Sequence, residues 1–145
     1  MSRVFALTLF VGLLTVSGCT TVNHYTTPTA IRANPASTAQ FVSAMSFDDA
    51  YKKTVEQMRA CFERKAKYLQ YTVTETKSPN EAEVTWGLST ALSYKVLSTI
   101  VLRPIDTRSR VELYSAFPTQ PDSLYTSLQS WLINNGTGCP GDSAK

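Results

Sequence analysis

The sequence predicts an α+β domain: an antiparallel sheet of four to five strands with two helices on one face, forming a two-layer sandwich. Two observations carry this reading. Apolar residues recur at helical spacing over 47–62 and over 124–132, and alternate at period two through most of 69–117. The alternating segments are joined by short connections rich in Pro, Asn, Asp and Ser, as an antiparallel meander with one covered face requires.

Gln40 to Met45 reads as a short strand and the start of the folded part. Ser46 is a good N-cap, with Asp49 three residues on and Asp48 adding negative charge to the first turn. Phe47, Tyr51, Val55, Met58 and Phe62, joined by Ala50 and Cys61, form one apolar helical face. Arg64, Lys65 and Lys67 follow, and are read as a solvated, dipole-matched helix end in preference to a headgroup-binding patch. Leu69, Tyr71 and Val73 open the first clear strand, and Ser78-Pro79-Asn80 marks a turn. Val84, Trp86 and Leu88 form the next strand. Tyr94, Val96, Ile100 and Leu102 share a phase in the third, with Ser98 a polar exception; Pro104 suggests that this strand ends or lies at an edge. After Asp106-Thr107-Arg108-Ser109, Val111, Leu113 and Phe117 alternate with Arg110, Glu112 and Tyr114. Asp122 or Ser123 caps a second helix carrying Leu124, Tyr125, Leu128, Trp131 and Leu132, with Gly136 as its left-handed stop.

The chain has 145 residues, with 14 Lys and Arg against 11 Asp and Glu. A net charge of +3 is too small to argue for nucleic acid, and the apolar content excludes a disordered chain. Arg3 is the only charge before residue 32. An apolar run from Val4 to Val16 follows it, shorter than the ~20 residues of a membrane span. The run ends in Val16-Ser17-Gly18-Cys19, which resembles the lipobox of bacterial lipoproteins. The resemblance implies a signal peptide over 1–18, cleavage before Cys19, and a covalent lipid, palmitate included, on that cysteine. Several acyl chains would make the anchor permanent. Thr20, where an Asp would signal inner-membrane retention, implies an outer-membrane protein with its domain facing the periplasm of a diderm cell. No other cofactor or metal is expected. Cleavage leaves 13 cations against 11 anions.

Residues 19–39 read as the lipidated cysteine and a flexible Thr- and Pro-rich tether, 40–140 as the periplasmic domain and 141–145 as a tail. A tether of that length spans roughly 25 Å. His24, the only histidine, falls in it and is read as solvated. Cys61 and Cys139 are then an even pair in an oxidising compartment, and are expected to form a disulfide.

The domain has no histidine to activate a nucleophile and no Gly-rich phosphate loop, so a non-catalytic role is expected. A Ser93–Lys95 dyad is a background-level signal, and Glu81 and Glu83 read as a solvated face. The sheet face opposite the helices would present Tyr68, Leu97, Val101 and Tyr114 among polar residues, a mixture typical of contact surfaces. The element order resembles the helix-grip and related two-layer folds of envelope-assembly lipoproteins. The function expected is a lipid-anchored accessory protein that binds an envelope protein or polymer. A periplasmic inhibitor or immunity-type protein is the alternative, and a small hydrolase a third.

Overall fold

The computed structural model of the chain describes residues 24–118 and 121–141. The signal segment, Cys19 and Thr20, and tail residues 142–145 lie outside the described residues. Within them are α1 (Pro28–Ala33), β1 (Ser37–Ser43), α2 (Phe47–Phe62), β2 (Arg64–Lys65), β3 (Gln70–Lys77), β4 (Ala82–Ser89), β5 (Tyr94–Ile105), β6 (Arg108–Ser115) and α3 (Pro121–Ile133). The fold is α+β, with six antiparallel strands in the order β1-β6-β5-β4-β3-β2. The expectation of four to five strands falls short by the two-residue β2, which alternation over so short a stretch cannot announce.

Ser46 caps α2 as its sequence requires: its Oγ accepts from the Asp49 amide at 3.2 Å and donates to the Asp49 carboxylate at 2.6 Å. The centre of the buried face is Ala50, Thr54, Met58 and Cys61, with Gln57 beside them. Phe47, Tyr51, Val55 and Phe62 flank that centre and are only partly buried. Thr54 enters the core because its hydroxyl donates to the Ala50 carbonyl at 2.7 Å, so no polar group is stranded. The helix ends at Phe62. Glu63 is extended, and Arg64 and Lys65 pair with Tyr71 and Gln70 as an edge strand. The helix-end reading of that basic cluster is therefore corrected.

Helices α2 and α3 pack on one face, over Val84, Ile100, Leu102, Val111 and Leu113. Trp131 and Leu128 of α3 are fully buried there, and the Trp131 indole donates to the Gly138 carbonyl at 2.8 Å. α3 starts at Pro121, ahead of the expected cap. Its end is closed by Asn135, which takes the positive φ of 51°, while the Gly136 amide returns to the Ser130 carbonyl at 2.9 Å. The left-handed residue is thus Asn135 rather than Gly136. Pro104 sits inside β5, past the last β4 pair, Ala82 opposite Leu102, where only β6 remains alongside.

The largest departure concerns the tether. Tyr25 bridges Val96, with the Val96 amide donating to the Tyr25 carbonyl at 2.8 Å. α1 follows, and β1 begins at Ser37. Thr27 caps α1 through the Ala30 amide, and Pro28 opens it. Ile31 is completely buried with Tyr25, Val96 and Ala116, against Tyr94, Tyr114 and Phe117. All but Phe117, which lies past the end of β6 and also reaches the other side, are on the sheet face opposite α2 and α3, so the helices do not all share one face. One buried side chain in a six-residue helix has too little periodicity to stand out in a Thr- and Pro-rich segment. Its burial contributes about 2 kcal/mol.

Cys61 at the end of α2 is bonded to Cys139 beyond α3, with Cα atoms 5.2 Å apart and a sequence separation of 78. A loop of that size gives about 4–5 kcal/mol on the chain-entropy argument.

Two outcomes follow for stability. Cys61→Ser and Cys139→Ser should lower the unfolding midpoint in denaturant equally, and the double variant should add little, because all three remove the same bond. A chain cut before Gln40 loses Tyr25, Ile31 and three β1 pairs, and should unfold at markedly lower denaturant than one cut before His24. Equal midpoints for the two cuts would show that α1 does not belong to the domain.

Candidate functional site

The four residues expected on an open sheet face do not share a surface. Val101 is fully buried. Its cross-strand neighbours are Glu83 and Glu112, and Arg32 and Arg103 are tied to those carboxylates. Thr85 and Thr99 are buried on the same face, their hydroxyls 3.3 Å apart. Tyr114 is half-buried and donates to Glu112 at 2.8 Å. Tyr68 stands in the β2–β3 turn, 77% exposed. Leu97 is on the other side of the sheet. The alternating pattern on which that face was drawn is broken by a bulge: Trp86 pairs with Ser98 and Gly87 with Val96, leaving Leu97 without a β4 partner. One extra residue reverses the phase of everything before it. Val96 and Tyr94 therefore turn to the α1 side, and Leu97 joins Ser98 on the side of α2. Gly87 is needed beside the bulge, since a Cβ there would overlap the Tyr94 ring.

The outer face is closed by a charge network. Arg32 reaches from α1 to Glu81 at 2.9 Å and Glu83 at 3.1 Å; Arg103 binds Glu81 at 2.7 Å and Glu112 at 2.6 Å. Burial opposes ionisation of Glu81, but hydrogen bonds from Arg32 and Arg103 outweigh it and hold its carboxyl below the ordinary value. Burial likewise opposes ionisation of Glu112, and its bonds from Tyr114 and Arg103 outweigh that. Burial, then the bond to Glu112, lift the Tyr114 hydroxyl above its ordinary value. Glu81 and Glu83, read from sequence as solvated, are the anchor points of α1.

On the opposite side, Leu97 helps line a cleft of about 480 Å³ with Phe62, Tyr71, Trp86, Leu88 and Phe117, walled by the Cys61–Cys139 bridge and Pro140, with Arg64 on its lining. A recess of about 230 Å³ shares Phe62, Trp86, Leu97, Phe117 and Pro140 with it and adds Ser98, Ser115 and Leu124. The Trp86 ring lies 4.6 Å from Phe62 and 6.0 Å from Tyr71. The Trp86 indole N–H and the Ser98 hydroxyl are both buried here without a hydrogen-bond partner among the described residues. An unmet buried donor costs ~1–3 kcal/mol. An apolar wall with a few convergent polar groups is what binding sites of this size commonly present. The sequence placed Phe62, Trp86 and Leu88 in the core; only recognition of the bulge would have added Leu97 and opened a cleft.

The remaining candidates are dispersed. The Ser93 and Thr90 hydroxyls bond each other in the β4–β5 turn, 3.1 Å apart. His24 is exposed. Among the described residues no group of three or more His, Cys, Asp or Glu could hold a metal ion, and no helix is long and apolar enough to cross a membrane. Comparison with known protein families, with curated proteins and with solved structures finds no match to this chain.

Through Glu81, which binds Arg32, the network should make α1 acid-sensitive. Glu81 and Glu112 have folded values below their ordinary 4.5. Their contribution is complete above that unfolded value and is lost as the pH falls through the lower folded values. Hydrogen exchange should show the protection of the Ile31 amide collapsing in that acid window before the β5 amides respond. Arg32→Met should reproduce the loss at neutral pH. Protection of Ile31 that stays level with β5 through acid would show that the network does not hold α1.

Proposed function

We propose that the chain is a non-catalytic, lipid-anchored envelope lipoprotein, and that its domain binds an envelope protein or polymer through the cleft between the end of α2, the bulged part of the sheet and the Cys139 segment. The observation that carries the binding site is the pairing of an aromatic wall with two buried, unpartnered polar groups, Trp86 Nε1 and Ser98 Oγ. Such a site suits a ligand with an apolar body and a hydrogen-bond acceptor. The anchor is supported by Val16-Ser17-Gly18-Cys19, and periplasmic exposure at the outer membrane by Thr20. Within the α+β class, the sheet with α2 and α3 is read as a two-layer sandwich to which α1 adds a strap on the second face.

A non-catalytic role is supported by the dispersal of the candidate nucleophiles and bases. Ser93 is held in a turn, and the depressed carboxyls Glu81 and Glu112 are spent on arginines. The cleft takes over the role that the sequence assigned to the outer face.

Two experiments test this reading. Cys19→Ser should abolish palmitate labelling, and intact-mass analysis of the wild type should give an acylated chain starting at Cys19; label retained by the variant overturns the anchor. A photo-reactive amino acid at position 97 or 88 should yield an adduct in intact cells, and the same group at position 114 should not. Leu97→Asp should reduce capture of that partner without unfolding the domain. Adducts from position 114 alone would move the binding site back to the outer face. Protection against an incoming toxin, with no partner in unstressed cells, would favour the inhibitor reading.

A further inference from the structure

The start of the folded domain limits how it can stand on its membrane. Only four residues separate Cys19 from His24, so the five Cα-to-Cα steps between them reach about 18 Å when fully extended. Tyr25 is pinned to Val96, near the end of the sheet formed by the β2–β3 and β4–β5 turns. From Val96 to Ile105 at the opposite end is about 30 Å of strand at ~3.3 Å per residue. A domain anchored through Cys19 therefore cannot rest on the bilayer by its β5–β6 end, because the tether is shorter than the strand.

The near end has the composition of an interfacial surface. Leu92, at the tip of the β4–β5 turn, is 97% exposed, and Leu69 in the β2–β3 turn is 40% exposed beside Tyr68. Arg64, Lys65 and Lys67 surround that turn, all exposed, and none of the three is in an ion pair among the described residues. Glu63, the carboxylate beside them, faces Arg59. Their placement no longer has a helix-dipole explanation, since α2 ends at Phe62 and Arg64 and Lys65 are strand residues. Exposed Leu and Tyr among cations that form no ion pair, Lys67 lying 5.3 Å over the Tyr68 ring, match a headgroup layer, where rings and apolar tips enter the interface and ammonium groups meet lipid phosphates.

We infer that this end of the domain, Arg64, Lys65, Lys67, Tyr68, Leu69 and Leu92, docks on the surface of the anionic bilayer that holds its own lipid anchor. The inference rests on lipidation of Cys19. It fixes the orientation of the cleft as well: Arg64, Tyr71 and Leu88 line it close to this same end, so a ligand would be met next to the membrane and not at the outer tip of the molecule.

The test is lysine footprinting of the full, purified chain with a water-borne acetylating reagent, read by mass spectrometry in detergent, in phosphatidylcholine vesicles and in vesicles rich in phosphatidylglycerol. Intact mass first establishes whether Cys19 is acylated; an unacylated chain overturns the anchor and this orientation with it. With an acylated chain, Lys65 and Lys67 should react roughly fivefold more slowly on phosphatidylglycerol than in detergent, with a smaller change on phosphatidylcholine. Lys52 on α2 and Lys77 at the far end of β3 should keep their detergent rates. An acylated chain whose Lys65 and Lys67 react as fast on anionic vesicles as in detergent overturns the docking alone and leaves the lipoprotein reading standing.

Discussion

The one-residue slip between Trp86 and Gly87 against β5 governs both faces of the sheet. Before the slip, Tyr94 and Val96 face α1; after it, Ile100 and Leu102 face α2 and α3. Without the extra residue, Val96 would point into the main core and Leu97 would take its place under α1. Tyr25 would then have no buried Val96 side chain to cover, and the cleft would lose the side chain it shares with Phe62 and Trp86. A bulge that increases local twist and re-aims one side chain thus makes the cleft and the seat for the N-terminal strap together.

The strap in turn explains an otherwise costly outer face. Thr85, Thr99 and Val101 are buried where a solvated face was expected. The two threonines satisfy each other, and the network of Arg32, Glu81, Glu83, Arg103, Glu112 and Tyr114 closes the rim with charge-assisted bonds. Those groups are partly exposed, so their value lies in fixing the position of α1 more than in stability. The same docking consumes most of the expected tether. On the proposed anchor at Cys19, what remains before Tyr25 is too short to let the domain roam, which would turn a question of localisation into one of orientation.

Much of the fold was legible. α2 was readable from Ser46 and a long apolar face, β3, β4 and β6 from clean alternation, and the Cys61–Cys139 bridge from parity once Cys19 was set aside. What failed did so for local reasons. β2 is two residues long, below any period. α1 buries a single Ile. The phase of β5 was drawn straight through Leu97, because Tyr94, Val96, Ile100 and Leu102 are all apolar and their even spacing conceals a bulge. That one error puts Leu97 on the expected outer surface and hides the cleft, while Val101 and Tyr114 do face outward but under cover. Glu81 and Glu83 looked solvated because their partner, Arg32, comes from a segment read as tether.

The phase reversal is open to direct observation. Methyl-based NMR of the full chain should give nuclear Overhauser contacts from Val96 to Ile31, and from Leu97 to the rings of Phe62 and Trp86. Contacts from Leu97 to Ile31 or Tyr114, with Val96 seen against the residues beneath α2, would show that β5 alternates without a bulge and would remove both the strap's seat and the cleft.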